Sequence, residues 1–201
     1  MRSKYPRLQK RCVAMNLNIN EIFYSLQGEG AYAGAPVIFI RLSGCNLACD
    51  FCDTRHQIGT EMSLEDIFKG IIHWPSMILV ITGGEPTLQW TRECYDYFKG
   101  RGYRIHIETN GTSEDVFADW VTVSPKPSAD YRILCRADEI KIVWNGTQGQ
   151  IARQMIGYKK AIQWLMPMDN ADQHIKTAIT YCKEHPTWRL AYRIQTALKL
   201  R

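Results

Sequence analysis

No apolar run in this chain approaches the roughly 20 residues needed to span a bilayer, so nothing in it reads as a membrane segment. Internal repeats at a fixed period and low-complexity tracts are also missing, which sets aside solenoids and extended arrays. Charge of one sign is scarce too. The net charge is +5 over 201 residues, part of the excess lies in the opening MRSKYPRLQKR, and a bias that mild gives no ground for a nucleic-acid partner. Cysteine is present but unpaired in number: seven is odd, so a disulfide framework is not expected and a reducing cytoplasm is. After the basic opening, CVAM is too short for the apolar core of a signal peptide. Residues 1–14 are expected to be a disordered or additional tail, and 15–201 a single domain.

What is present is an ordinary globular composition, 45% hydrophobic and 22% charged, arranged as alternating strands and helices. INEIFYSLQGEG alternates apolar and polar residues before the glycine-punctuated GEGAYAGAP, and reads as a strand or hairpin entry. PVIFIRLS (36–43) is a near-continuous apolar run rich in β-branched residues, as a strand buried on both faces requires. MILVIT (77–82), RIHIET (104–109), VTVS, EIKIV from Glu139 and KAIQWLMPM from Lys160 repeat the pattern. Helices are predicted at SLEDIFKGII (63–72), with Ser63 as cap and Asp66 completing the box, and across TLQWTRECYDYFKG, ended by Gly100 or Gly102. Further helices are predicted at SEDVFADW, TQGQIARQM and DNADQHIKTAITYCKEH. This order predicts an α/β fold, and the length is short for a full eight-stranded barrel of about 250 residues. The expected architecture is a partial, open TIM-like barrel of about six parallel strands, with the active site at the strand carboxyl ends.

Every unusual residue cluster falls at such an end: CNLACDFC, TGGEP, ETNGT, SPKP and MPMD. The first holds Cys45, Cys49 and Cys52, three soft thiolates within eleven residues of Gly44–Thr54. That density suits an iron–sulfur cluster or zinc, both of which usually take four ligands. With His56 the trio becomes a Cys3His zinc set of the kind found in small RNA-binding modules. Against that reading, the site grows from a buried strand of an α/β chain, and TGGEP is left unexplained. Cys12, Cys94, Cys135 and Cys182 stand outside any motif. Three of these four are expected as small buried or half-buried residues and Cys12 as exposed.

Cys45-x-x-x-Cys49-x-x-Cys52, with Phe51 before the last cysteine and Thr82–Pro86 at the next strand end, resembles the signature of the radical S-adenosylmethionine superfamily. The resemblance implies a 4Fe-4S cluster on three cysteines, an open iron that chelates S-adenosylmethionine, and release of a 5'-deoxyadenosyl radical. It also places Gly83, Gly84 and Glu85 at the methionine ammonium, and Phe51 against adenine. FYSLQGEG, FIRLSGCNLACDFCDT, VITGGEP, IETNGT and VSPKP together resemble, from Asn18 onward, the 7-carboxy-7-deazaguanine synthase family of the queuosine route. Members turn 6-carboxy-tetrahydropterin into 7-carboxy-7-deazaguanine with loss of ammonia.

Carried across by motif, Leu26, Gln27, Gly28, Arg41, Thr82 and Glu108 would contact the pterin, with Arg41 taking its carboxylate. Phe51, Cys52, Asp53, Gly84, Ser124, Pro125 and Lys126 would line S-adenosylmethionine, and Thr54 would ligate Mg2+. A bare surface ion pair is the plain alternative for Arg41, and a structural strand-end carboxylate for Glu108. MPMD (Met166, Pro167, Met168, Asp169) stands where the family has glutamine before Pro-Met-Asp, so a polar contact to the cofactor is lost or passes to the backbone. RLAYRIQTALKLR keeps Gln195 and Thr196 but has Ala197 where histidine is common, which puts the C-terminal contribution to the substrate site in question. The resemblance further implies a homodimer, a small-molecule substrate and an external one-electron reductant such as flavodoxin or ferredoxin. Two rivals remain at this point: an activating enzyme for a glycyl-radical protein, and a non-enzymatic zinc or iron–sulfur module.

Overall fold

The computed structural model describes residues 15–49, 52, 58–126, 135–147 and 160–200. Among these residues the strands are β1 (Asn16–Leu26), β2 (Pro36–Leu42), β3 (Thr60–Ser63), β4 (Ile78–Gly83), β5 (Arg104–Thr109), β6 (Trp120–Val123), β7 (Glu139–Trp144), β8 (Ile162–Pro167) and β9 (Trp188–Leu190). They join in one sheet ordered β3-β1-β2-β4-β5-β6-β7-β8-β9. β1 is antiparallel to both neighbours, and from β2 to β9 every pairing is parallel. The order runs from β3 to β9 without closing, so the sheet is an open partial barrel.

The period-two alternation of strand side chains divides the sheet into two different faces. On one face Ile38, Ile40, Leu79, Ile81, Ile105, Ile107, Val121, Ile140, Ile142 and Leu165 are fully buried in one core. The helices close over it. α1 (Leu64–Ile71) buries Leu64, Ile67 and Ile71, and α2 (Arg92–Lys99) buries Cys94 and Phe98, the spacing of a single helical stripe. The Ser63 hydroxyl accepts from the Asp66 amide at 3.1 Å, as predicted for its cap; Ser63→Ala would cost about 1 kcal/mol. The other face carries a small apolar floor, Phe23, Val37, Phe39 and Val80, and above it the polar side chains of the site.

The order of elements follows the prediction, with definite differences. Seven strands are parallel rather than about six; β9 spans three residues, too few for a periodic signal. Ser113–Asp119 is not helical. Its groups are claimed from outside: Phe117 C=O accepts the Trp90 indole N–H at 3.0 Å, and Asp119 accepts the Ile105 amide at 2.8 Å and Lys99 Nζ at 2.6 Å. The helix expected from Thr87 begins as a short 3-10 turn, Pro86–Leu88, capped by Glu85, and becomes α-helical only at Arg92. Gly102, at φ +89°, supplies the left-handed turn that ends it. α3 (Asp172–Glu184) and a last short turn, α4 (Ile194–Ala197), complete the chain. Cys94 and Cys135 are buried and Cys182 is half-buried, while the tail with Cys12 and the helix predicted over TQGQIARQM, beyond Thr147, lie outside the described residues.

Candidate active site

A cavity of about 270 Å³ opens on the polar face of the sheet, at the carboxyl ends of the parallel strands. Cys45, Cys49 and Cys52 all border it, and the described residues 43–49 and 52 that carry them form no helix or strand. That loop is held by backbone. Gly84 N–H donates to Leu42 C=O at 2.9 Å and Glu85 N–H to Gly44 C=O at 2.8 Å, which zips the TGGEP segment to the start of the cysteine loop. A Cβ on Gly84 would collide with the Gly44 carbonyl, and Gly83 sits at φ +116°, so both glycines are required by the approach. Cys52 N–H donates to Cys49 C=O at 3.1 Å, and Leu47 N–H to Cys45 Sγ at 3.4 Å. Asn46 ties the loop sideways: its Nδ2 donates to Thr112 Oγ1 at 2.8 Å and its Oδ1 accepts from Asn110 Nδ2 at 2.9 Å.

Three thiols facing one cavity, one of them receiving an amide hydrogen bond, fit an iron–sulfur cluster bound by three cysteines. Among the described residues no three His, Cys, Asp or Glu donors converge on a point as a single metal ion requires. A cubane takes one thiolate per iron, so its ligands stand apart.

Glu85 follows the two glycines of TGGEP and is turned into the protein. It is fully buried and does not border the cavity. Its carboxylate accepts from Thr87 N–H, the Thr87 hydroxyl, the Thr109 hydroxyl and Asn110 N–H at 2.7–3.1 Å. With each oxygen accepting a backbone N–H, the carboxylate braces the segment after β4 against the end of β5.

Leu26, Gln27, Gly28, Arg41, Thr82 and Glu108 all border the cavity, as do Gly83, Gly84, Ser124, Lys126 and Met166. Pro125, Pro167, Met168 and Asp169 do not. Met168 packs with Val143 and Met166, and Asp169 turns away at φ +54° in the 3-10 turn Met168–Asn170. Phe51, Asp53, Thr54 and His56 lie outside the described residues. Arg41 borders the cavity, and its Nε lies 2.8 Å from Glu21, its cross-strand partner on β1. Its guanidinium also stands over the Phe23 ring, itself stacked on Phe39 with centroids 4.8 Å apart.

Several residues of the site escaped the sequence reading. Lys141, at the centre of β7, is buried and ion-paired to Glu29 and Glu108 at 2.9 and 3.1 Å. Glu29 also accepts from Gln195 Nε2 at 2.8 Å and faces Arg193 at 3.5 Å. Gln195 and Arg193 border the cavity, so the C-terminal segment reaches the site even with Ala197 in place of histidine. A lysine inside the apolar EIKIV was the one available signal for Lys141; Glu108 and the motif that holds Glu29 were in the sequence reading, but nothing local paired them with it.

The fold and the cysteine site define a radical S-adenosylmethionine enzyme, and the radical SAM superfamily model matches residues 39–124. The chain is 38% identical over 190 residues to a 7-carboxy-7-deazaguanine synthase of Bacteroides thetaiotaomicron, covering 93% of this chain and all of that relative. It is 35% identical over 217 residues to one from Burkholderia multivorans, covering 92% and all of that protein. The crystal structure of QueE from Escherichia coli superposes with a TM-score of 0.78 at 32% identity, over 90% of this chain and 95% of that one. The chain belongs to the 7-carboxy-7-deazaguanine synthase family. Among the described residues no helix is long and apolar enough to cross a membrane.

Proposed function

We propose that the protein converts 6-carboxy-5,6,7,8-tetrahydropterin into 7-carboxy-7-deazaguanine with release of ammonia, in the route to queuosine. The observation that carries this reading is a single cavity bordered by three cysteines and by a polar set made of Gln27, Arg41, Glu108 and Lys141, the last three charged. When bound, the 4Fe-4S cluster and S-adenosylmethionine supply a carbon radical that removes one hydrogen atom from the substrate.

The rest of the work falls to side chains. Arg41 offers its guanidinium to the pterin carboxylate, a fork geometry a lysine would not match. Glu108, held by Gln27 Nε2 at 3.2 Å and by the Thr82 hydroxyl at 3.1 Å, accepts ring N–H groups. Phe23 and Phe39 give an apolar wall that shields the reacting carbon from water. Gly83 and Gly84 bring backbone close to the methionine end of S-adenosylmethionine. Cys52, Ser124, Lys126 and Met166 border the cavity where its remainder would lie; by motif Phe51 and Asp53 join them and Thr54 contributes to a Mg2+ site. A flavodoxin or ferredoxin as reductant and a homodimeric assembly complete the reading.

The test is anaerobic reconstitution followed by incubation with 6-carboxy-tetrahydropterin and S-adenosylmethionine, with the product read by mass. The expected species has lost one ammonia, and S-adenosylmethionine is not consumed in stoichiometric amount. A colourless protein that retains zinc and leaves the pterin unchanged would overturn the proposal.

A further inference from the structure

Lys141 is 4% exposed and stands between Ile140 and Ile142, both fully buried, with its side chain turned to the cavity. A buried ammonium is retained only where partners replace its hydration. Here the partners come from two remote segments. Glu29 lies in the loop between β1 and β2, Glu108 at the end of β5, and Nζ binds one oxygen of each. The remaining oxygens are tied as well, Glu108 by Thr82 and Glu29 by Gln195 and Arg193. A third carboxylate, Glu139 on β7 itself, accepts from Ala31 N–H, the Thr122 hydroxyl and the Trp164 indole, and so pins the same loop.

The charge balance decides what this lysine can do. Burial opposes its charge, but Glu108, Glu29 and Glu139 outweigh burial and hold it protonated well above the usual lysine range. Burial likewise pushes the Glu29 carboxyl up, and Lys141, Gln195 and Arg193 bring it below its ordinary value. Lys141 is therefore a fixed cation and does not serve as a general base. Without it, Glu29 and Glu108 would be two like charges at one site, and such pairs share a proton. A carboxyl that has taken up a proton donates where it formerly accepted.

We propose that Lys141 is a positioning residue that keeps Glu108 and Glu29 as acceptors, so that the cavity floor selects a ring carrying adjacent N–H donors, the 2-amino-4-oxo edge of a pterin. The proposal rests on the pterin reading above. A site built from acceptors rejects an isostere that lacks the donor, because its own polar groups are left unpaired.

The experiment compares binding of 6-carboxypterin and its 2-oxo analogue, 6-carboxylumazine, to the reconstituted holoenzyme with S-adenosylmethionine. The variants are Lys141→Met and the double variant Lys141→Met/Glu29→Gln. Wild type is expected to prefer the 2-amino compound by at least about tenfold. Lys141→Met is expected to lose that preference and to acquire a pH dependence as the Glu29–Glu108 pair, with Glu139 and Arg193 beside it, takes up a proton. The double variant removes one of the two like charges and is expected to recover the preference to within about threefold. General loosening of the fold would weaken both ligands equally and leave the ratio unchanged. Retention of the preference by Lys141→Met, or its loss in the double variant, overturns the proposal; should Lys141→Met fail to fold, the double variant decides alone. A wild type that binds both compounds equally removes this proposal only, whereas one that binds neither removes the pterin reading as well.

Discussion

Replacing Glu85 by glutamine tests whether the TGGEP carboxylate is a brace. The substitution conserves volume and changes one oxygen to NH2. Oxygen Oε1 of Glu85 accepts the Thr87 amide at 3.1 Å and the Thr87 and Thr109 hydroxyls at 2.7 Å; Oε2 accepts the Asn110 amide at 2.7 Å. Because each oxygen receives a backbone N–H, either orientation of the new amide turns NH2 against a donor that cannot rotate away. One buried donor is then orphaned at about 1–3 kcal/mol, and the amide's own hydrogens lack acceptors, for a total of about 2–4 kcal/mol. For a domain of this size that corresponds to a Tm lowered by roughly 5–15 °C. The damage is local, because Asn110 also holds Asn46 beside Cys45, so iron retained after anaerobic reconstitution should fall with it. Calorimetry of the cluster-free protein reads the first effect and iron per chain the second. A Tm within about 2 °C of wild type together with full iron loading would refute the reasoning.

Cys45→Ala, Cys49→Ala and Cys52→Ala are each expected to abolish turnover and to lower the iron content; substantial activity in any one of them would sink the cluster assignment. Gly84→Ala drives a Cβ into the Gly44 carbonyl and displaces the cysteine loop, so S-adenosylmethionine cleavage should fall on the order of a hundredfold, and cleavage at the wild-type rate would show that the close approach is dispensable. Arg41→Ala should weaken binding of the carboxylated pterin by about 10- to 100-fold while S-adenosylmethionine cleavage continues; equal binding of carboxylated and decarboxylated pterins by wild type would contradict its role. His106 is 3% exposed, between Tyr32 and Trp120, and burial, helped by Arg104, lowers its pKa from 6.5 to about 4. Between those two values the unfolded chain binds the extra proton, so stability should be full above pH 6.5 and fall, by at most about 3 kcal/mol, as the pH drops toward 4. Denaturant titrations of wild type and His106→Leu should therefore differ in pH slope across that window, and identical slopes would remove the argument.

How much of this was legible in the sequence depended on the range over which each feature is encoded. The cap at Ser63 and the buried runs of β2 and β4 are local: each follows from residues within a few positions, and each was found where expected. The segment Ser113–Asp119 was misread for the complementary reason. Its local pattern favoured a helix, but its backbone groups found remote partners: Asp119 N–H donates to Ile105 C=O, and the Phe117 and Ala118 carbonyls accept from Trp90 and Arg136. For Glu85 the motif fixes the residue's position, and the donors at Thr87, Thr109 and Asn110 decide where its carboxylate points.

The sequence by itself determined a thiolate metal site, because three cysteines at that spacing are a short-range arrangement, and the resemblance carried by that spacing and TGGEP pointed to the class of chemistry. It also determined that the site would lie at the strand carboxyl ends, since parallel alternation leaves the loops there. Only the tertiary structure brought Lys141 and its buried ion pairs into that site. Lys141 and Glu29 are 112 positions apart, and Gln195 and Glu29 are 166 apart; their meeting depends on the curl of the sheet and the inward fold of the β1–β2 loop. No local pattern encodes that, because pairing of remote charges in a buried site is a property of the packed whole.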